Sequence, residues 1–201
     1  MIRVLIAEDQ GMVRGALKAL LAMEDDIEIV AETDRADRVV ALAVETKPDV
    51  ALLDIEMPGG DGITAATHLR KALPSCKALI LTTFGRPGFL RRALEGGASG
   101  FMLKDAPAHE LALAIRRTMA GERVVDPGLA AAALSAGVSP LSEREREVLV
   151  AGQGGASIAE IARALFLSEG TVRNYLSSAI QKLEVSNRAE AARVAEQQGW
   201  L

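Results

Sequence analysis

Three carboxylates follow two short apolar runs of the chain. Glu8 and Asp9 come directly after the run VLIA, and Asp54 ends the run VALLD, just before a turn that contains proline and glycines. If the two runs are neighbouring parallel strands, their carboxyl ends meet at one edge of a sheet. Carboxylates that lie close together repel one another, and a cation relieves this repulsion. The pattern therefore predicts a Mg²⁺ site, to which the backbone carbonyl of Glu56 can add an oxygen ligand.

Two more polar groups are expected at the same edge. Thr82 ends the run ALILT, and Lys104 follows the run GFML. A carboxylate nucleophile, a metal ion, a hydroxyl and an ammonium group can together accept a phosphoryl group. On this interpretation Asp54 attacks phosphorus, Lys104 and Mg²⁺ stabilise the equatorial oxygens, and Thr82 bonds one of them afterwards. Taken singly, a strand-end aspartate is more often a helix cap and a lysine more often a solvated surface residue.

The elements that must position these residues alternate along the first 120 residues. Short apolar runs predict strands at residues 3–7, 28–31, 50–54, 78–82 and 100–103. Longer periodic stretches predict helices at residues 11–23, 35–46, 62–72, 87–96 and 107–119. Strict alternation of this kind predicts an α/β domain over residues 1–120, with a five-stranded, doubly wound parallel sheet of the flavodoxin-like type.

The pattern changes after Gly121. Residues 121–139 are rich in alanine and contain proline, which predicts a linker that holds one short helix. Residues 140–201 show helical periodicity alone, which predicts a small all-α domain of about 60 residues.

Within this second domain the spacing of helices is typical of a helix-turn-helix. Ser142 and Glu145 form the S-x-x-E pattern of a capping box, and later helices are predicted at residues 157–164 and 169–183, four residues apart. One apolar stripe of the later helix consists of Val172, Leu176, Ala179 and Leu183. The side chains on its opposite face are short or rich in hydrogen-bond donors, and they include Arg173, Asn174 and Ser177. Such a face can be solvated or can enter a DNA major groove, with Lys182 and Arg188 placed to meet phosphates.

Composition limits the remaining possibilities. The chain has 201 residues, of which 49% are hydrophobic and 25% charged, as in an ordinary globular protein. No apolar run approaches the roughly 20 residues that a membrane-spanning helix needs, and the start MIRVLIAEDQ is not typical of a secretory signal. With Cys76 as its single cysteine, the chain cannot form an internal disulfide, and we expect a cytoplasmic protein without membrane insertion. The net charge of −4 does not itself indicate nucleic acid.

Residues 1 to about 120 resemble the receiver domain of bacterial two-component response regulators. The motifs AEDQ, LLDIEMPGGDG, LILTTF and GFMLKDAP occur in the order and spacing of that family. The resemblance implies that Glu8 and Asp9 are the acidic metal-binding pair and that Asp54 is the phosphoacceptor. It also implies that Thr82 and Lys104 contact the phosphoryl group. It also implies that Phe101 swings inward when Thr82 moves, although a buried phenylalanine on a strand needs no such role.

The segment from residue 141 to 195 resembles the LuxR-type helix-turn-helix of the NarL/FixJ class, with LSEREREVL, EIA, TVRNYL and KLEVSNRAEA. By that resemblance the residues that face bases are Arg173, Asn174 and Ser177. Lys182 would touch the DNA backbone. Two residues depart from the pattern, because Ala159 replaces a common lysine and Tyr175 a common histidine. TVRNY, AEDQ, DIEMPG and the ending QQGWL further resemble regulators of membrane-lipid desaturation, which implies control of desaturase genes.

Together these features predict a transcription factor that is activated by phosphorylation. A sensor histidine kinase would donate phosphate to Asp54, and the modified protein would form a homodimer on a double-stranded DNA operator. Two helices carry more apolar residues than one core face needs, which predicts the dimer surface there. These residues are Val13, Leu17, Leu111, Leu113 and Ile115.

Two alternatives stay open at this point. A phosphohydrolase with an aspartate nucleophile would use Glu56 as its acid and base, but a helix-turn-helix would be surplus to such an enzyme. A regulator could also use its first domain as a dimerisation module without phosphorylation. The complete set of Glu8, Asp9, Asp54, Thr82 and Lys104 argues against that second alternative.

Overall fold

The computed structural model describes residues 1–83, 87–135 and 139–201. Residues 136–138 of the predicted linker lie outside this range. The described chain divides into two compact units, one formed by most of residues 1–131 and the other chiefly by residues 132–201. No helix in the described part of the chain is both long enough and apolar enough to span a bilayer.

The first unit is built on a parallel sheet. The strands are β1 (Ile2–Ala7), β2 (Ile27–Thr33), β3 (Val50–Asp54), β4 (Glu56–Met57), β5 (Gly60–Asp61), β6 (Lys77–Thr82), β7 (Gly100–Leu103) and β8 (Val124–Val125). Among the described residues, six strands form the main sheet in the order β2-β1-β3-β6-β7-β8, and β4 pairs with β5 in an antiparallel hairpin. The strand order reverses between β1 and β3, so their carboxyl ends flank a crevice suited to a ligand.

Helices cover the sheet and form the second unit. They are α1 (Gly11–Leu21), α2 (Val39–Thr46), α3 (Gly62–Ala72), α4 (Pro87–Gly96), α5 (Ala108–Met119), α6 (Pro127–Ser135), α7 (Glu143–Ala151), α8 (Ile158–Ala164), α9 (Glu169–Lys182) and α10 (Arg188–Gln197). Short 3₁₀ helices lie at Ala36–Arg38 and Gln153–Gly155. The predicted α/β fold with a second helical unit is confirmed.

Burial explains why the apolar runs become strands. All five residues of β3 are buried, and Val4 to Ala7 of β1 are buried beside them. Strands that are covered on both faces read as continuous apolar runs rather than as alternating ones. Asp54 is the polar exception in β3, at the end of the strand.

The predicted five-stranded sheet is one strand short, because the main sheet of the described residues has six strands. Val124–Val125 lies in the segment predicted as a linker and pairs in parallel with Gly100 and Phe101 of β7. A two-residue strand is too short to show a sequence period, and its stability comes from pairing with an existing sheet edge. The helix α6 follows it within the same predicted linker segment.

The second unit has its own core. Ser142 and Ser157 close complete capping boxes with Glu145 and Glu160, which fixes the first turns of α7 and α8. The α9 helix packs against both of them. The stripe predicted on α9 is buried at Val172, Leu176 and Ala179, and Leu183 packs against the same core from a partly exposed position.

Candidate functional site

The three predicted carboxylates come together at the carboxyl ends of β1 and β3. Oxygen atoms of Glu8, Asp9 and Asp54 lie within 4.8 Å of one another. The side chains of Glu8 and Asp54 are 1% and 5% exposed, whereas Asp9 is exposed. Two buried carboxylates at this distance are unfavourable unless positive charge lies beside them.

Lys104 supplies positive charge to this cluster. Its Nζ atom lies 2.7 Å from Oε2 of Glu8 and 2.9 Å from Oδ2 of Asp54. Burial raises the pKa of Glu8 and the charge of Asp54 adds to this effect, while Lys104 opposes it. Burial alone would lower the pKa of Lys104, but its hydrogen bonds to the two carboxylates outweigh burial and raise it. The ammonium group therefore stays charged and bridges the two strand ends.

The loop after Asp54 is held close to the acidic cluster. The backbone N–H of Ile55 donates to Oδ1 of Asp54 at 2.8 Å, and Ile55 accepts a backbone hydrogen bond from Gly62. A Cβ atom on Gly62 would lie 1.9 Å from the carbonyl oxygen of Asp54, so this approach requires glycine. Gly59, with φ of 84°, forms the tip of the β4–β5 hairpin that begins at Glu56.

A small cavity of about 80 Å³ opens beside the carboxylate of Asp54. It is lined by Asp9, Gln10, Asp54, Glu56, Thr82 and Thr83. The structure thus brings Thr82 to the same edge as the acidic cluster, as the sequence predicts. The side chain of Glu56 is exposed at this cavity.

Phe101 lies on β7, opposite Ile80 of the neighbouring strand β6. Its side chain is completely buried. The ring therefore occupies an interior position, which is compatible both with a core residue and with the inward position of a switch.

The predicted DNA-facing residues lie on the exposed side of α9. Arg173, Asn174 and Ser177 are exposed, while Leu176 between them points into the core of the unit. The N-cap Ser168 accepts a hydrogen bond from the backbone N–H of Thr171 and fixes the start of the helix. The face is continuous and accessible, as direct reading of base edges requires.

The two residues predicted to meet phosphates make contacts within the second unit. Lys182 donates to Oε2 of Glu145 at 2.8 Å, and Arg188 donates to the backbone oxygen of Ala156 at 2.8 Å. Glu145 also accepts a hydrogen bond from Ser178 and is 3% exposed. Burial would raise the pKa of Glu145, but the hydrogen bonds from Lys182, Ser178 and the N-cap lower it to about 2. Sequence reasoning identified Glu145 as a cap residue and missed its link to α9.

The sequence interpretation also missed an acid on the side of α9 that is predicted to face DNA. Glu169 in the first turn accepts a hydrogen bond from Nη2 of Arg173 at 2.8 Å. The signal was the i,i+4 spacing of opposite charges on one helix.

The predicted dimer surface is mostly internal. Leu111 and Ile115 of α5 belong to the core of the first unit, and Leu17 of α1 packs against that core. Val13 is partly exposed, and Leu113 is 51% exposed. The excess of apolar residues on α5 is therefore explained largely by core packing, with Leu113 left at the surface.

Two family models match the two units. Residues 4–116 match the response regulator receiver domain, and residues 139–195 match the bacterial regulatory proteins of the luxR family.

Known proteins are similar to this chain over all or nearly all of its length. The transcriptional regulatory protein DesR of Bacillus subtilis (strain 168) is 46% identical over 100% of both chains. The solved structure of response regulator ChrA, from a heme-sensing two-component system, covers 100% of this chain and 98% of its own, with 37% identity and a TM-score of 0.59. A structure of two RcsB dimers bound to two parallel DNAs covers 98% of each chain, with 25% identity and a TM-score of 0.67.

Proposed function

Because the chain belongs to the LuxR-type response regulators, a family of DNA-binding transcription regulators, we propose that phosphorylation of Asp54 controls its binding to DNA. A sensor histidine kinase is the proposed donor. The observation that carries this proposal is the contact of Lys104 with Asp54, at 2.9 Å, inside a cluster of buried carboxylates. Burying the charged carboxylate of Asp54 beside other carboxylates is costly, and such an arrangement points to a chemical role rather than to a structural one.

The acceptor residues have distinct parts in the proposed transfer. An oxygen of the Asp54 carboxylate forms the new bond to phosphorus as the bond between phosphorus and the donor nitrogen breaks. Lys104, already in contact with Asp54, moves with the incoming group and holds one of its oxygens. The hydroxyl of Thr82, at the same cavity, donates to another oxygen after transfer.

The acidic cluster fits a Mg²⁺ ion because it offers hard oxygen ligands around an incompletely neutralised charge. The proposed ligands are the carboxylates of Glu8, Asp9 and Asp54 and the backbone carbonyl of Glu56. When bound, the ion would neutralise negative charge on the phosphoryl oxygens.

The switch residues link the acceptor to the surface. Thr82 ends β6, and Phe101 lies on the adjacent strand β7. Movement of Thr82 toward a phosphoryl oxygen frees space beside it, and we assign Phe101 the role of filling that space. The outer surface of β7 and α5 then changes with phosphorylation.

Dimerisation places two copies of α9 on DNA. A dimeric helix-turn-helix protein binds paired half-sites about one helical turn apart. Arg173, Asn174 and Ser177 would contact base edges, and Lys182 and Arg188 would meet phosphates after leaving their present partners. The RcsB structure, with dimers on DNA, supports this arrangement for a chain of similar fold.

Control of membrane-lipid desaturase genes stays a prediction from sequence resemblance. Mapping of the binding sites in cells would test it, since the sites would have to lie upstream of such genes.

The proposed function is tested by comparing wild type with Asp54→Ala before and after treatment with phosphoramidate and Mg²⁺. Light scattering would measure the mass in solution, and selection from a randomised DNA duplex would measure sequence-specific binding. We expect treated wild type alone to dimerise and to enrich a paired site. Equal enrichment by Asp54→Ala would instead favour a dimerisation module that works without phosphorylation.

A further inference from the structure

An acidic residue lies on the exposed face of α9 that is proposed to read DNA. Glu169 and Arg173 are one helical turn apart, and Oε2 of Glu169 lies 2.8 Å from Nη2 of Arg173. Their side chains are 51% and 58% exposed, so neither is buried by the rest of the second unit. The pair therefore faces outward at the N-terminal end of α9. Recognition helices contact base edges with the residues at this end.

An acid in this position opposes general attraction to DNA. Binding without sequence preference depends on cations that neutralise phosphates, and a carboxylate paired with Arg173 removes one such cation. The carboxylate itself is also repelled by nearby phosphates. A protein that needed only affinity would gain by losing Glu169.

The same carboxylate can favour particular bases. A glutamate accepts a hydrogen bond from the amino group of cytosine, and arginine donates two hydrogen bonds to guanine. Side chains at i and i+4 on a helix are neighbours, so they can reach the same or adjacent base pairs. The contact with Glu169 also restricts the guanidinium of Arg173 to one side of the helix before DNA arrives, which reduces the freedom lost on binding.

From this geometry we propose that Glu169 is a specificity-determining residue of the DNA interface. It positions Arg173 and penalises sites that present no base amino group to its carboxylate. This inference rests on the proposed DNA-binding function and extends it to a residue whose charge is opposite to that expected for a DNA contact.

The test uses the full chain, phosphorylated with phosphoramidate and Mg²⁺, and a randomised DNA duplex as the probe. Wild type, Glu169→Gln and Glu169→Ala are each carried through selection, and binding is then measured on the selected site, on single-base variants of it and on unselected duplex. We expect both variants to bind unselected duplex more tightly. We also expect their preference at one or two adjacent C·G pairs to fall roughly tenfold, the effect of losing one good base contact.

Glu147→Gln is the matched control. Glu147 pairs with Arg144 on α7 at 2.6 Å, so the substitution removes an exposed ion pair from the same unit but not from α9. It should leave the selected site unchanged, which separates base reading from a general effect of charge.

The outcomes distinguish this inference from the proposed function. If wild type selects a site and the Glu169 variants select the same one with equal preference, or lose affinity uniformly for all sequences, Glu169 has no role in specificity. If phosphorylated wild type selects no site at all, the proposed DNA-reading function fails, and the inference fails with it.

Discussion

At the scale of single residues, the acidic cluster depends on one ammonium group. The Nζ atom of Lys104 contacts Glu8 and Asp54, and all three side chains are at most 10% exposed. Removing one partner of a buried ion pair is costly because the remaining charge is left without compensation.

We therefore expect Lys104→Met to lower the free energy of unfolding by about 3 kcal/mol at neutral pH. Urea unfolding followed by circular dichroism would measure the change. Lys71→Met on the exposed surface of α3 is the control and should be nearly neutral. A loss equal to that of the control would show that the buried carboxylates do not need Lys104.

The loss of unfolding free energy caused by Lys104→Met should also depend on pH. Burial raises the pKa of Glu8, and loss of Lys104 removes an interaction that lowers it. A carboxyl group whose pKa is raised by folding destabilises the folded state increasingly as the pH rises through that pKa. The deficit should therefore shrink as the pH is lowered and Glu8 takes up a proton.

At the scale of elements, α7 is tied to α9 by a buried carboxylate. Glu145 accepts hydrogen bonds from Ser178 and Lys182 of α9 while it also caps its own helix. Hydrogen bonds to a charged group contribute more than neutral ones.

We expect Glu145→Gln to lower the free energy of unfolding by roughly 1.5–3 kcal/mol at pH 6. Trp200, the single tryptophan, packs against the core of this unit, so its fluorescence would follow the unfolding. Glu147→Gln is again the control, because its ion pair is exposed and should contribute at most about 1 kcal/mol.

The same contact predicts the direction of a pH effect. The pKa of Glu145 falls from its usual 4.5 to about 2 in the folded protein, because Lys182, Ser178 and the N-cap donate hydrogen bonds to the carboxylate. The unfolded chain therefore binds the proton more readily, and the stabilisation is fully present above pH 4.5 and is lost as the pH falls toward 2. The difference between wild type and Glu145→Gln should shrink over this range, and a constant difference would contradict the assignment.

The sequence predicts those elements whose pattern is local. The sequence predicts β1 and β3 from their buried apolar runs. It also predicts that the polar residues at their ends lie together, because strand ends in a parallel sheet converge. Val124–Val125 is not predictable in this way, since its pairing depends on the exposed edge of β7. The contacts of Lys182 and Arg188 likewise follow from the packing of helices distant in sequence, and periodicity carries no information about them.

At the scale of the whole molecule, the proposed activation by dimerisation requires a surface that can join two copies. Leu113 is 51% exposed on α5, whereas Leu111 and Ile115 of the same helix are internal. We expect Leu113→Asp to leave the monomer folded but to weaken the phosphorylated dimer at least tenfold, since a carboxylate buried in an apolar contact is costly. Light scattering over a range of concentrations would measure this. Cross-links confined to α4 in the treated wild type would contradict a dimer surface on α5.

The most direct test of the account is the mass of the intact protein before and after incubation with phosphoramidate and Mg²⁺, for wild type and for Asp54→Ala. We expect one added phosphoryl group on wild type and none on the variant. Equal gains on both proteins would place the acceptor elsewhere. No gain on wild type, with no release of phosphate into solution, would mean that the cluster of Glu8, Asp9, Asp54 and Lys104 does not accept a phosphoryl group.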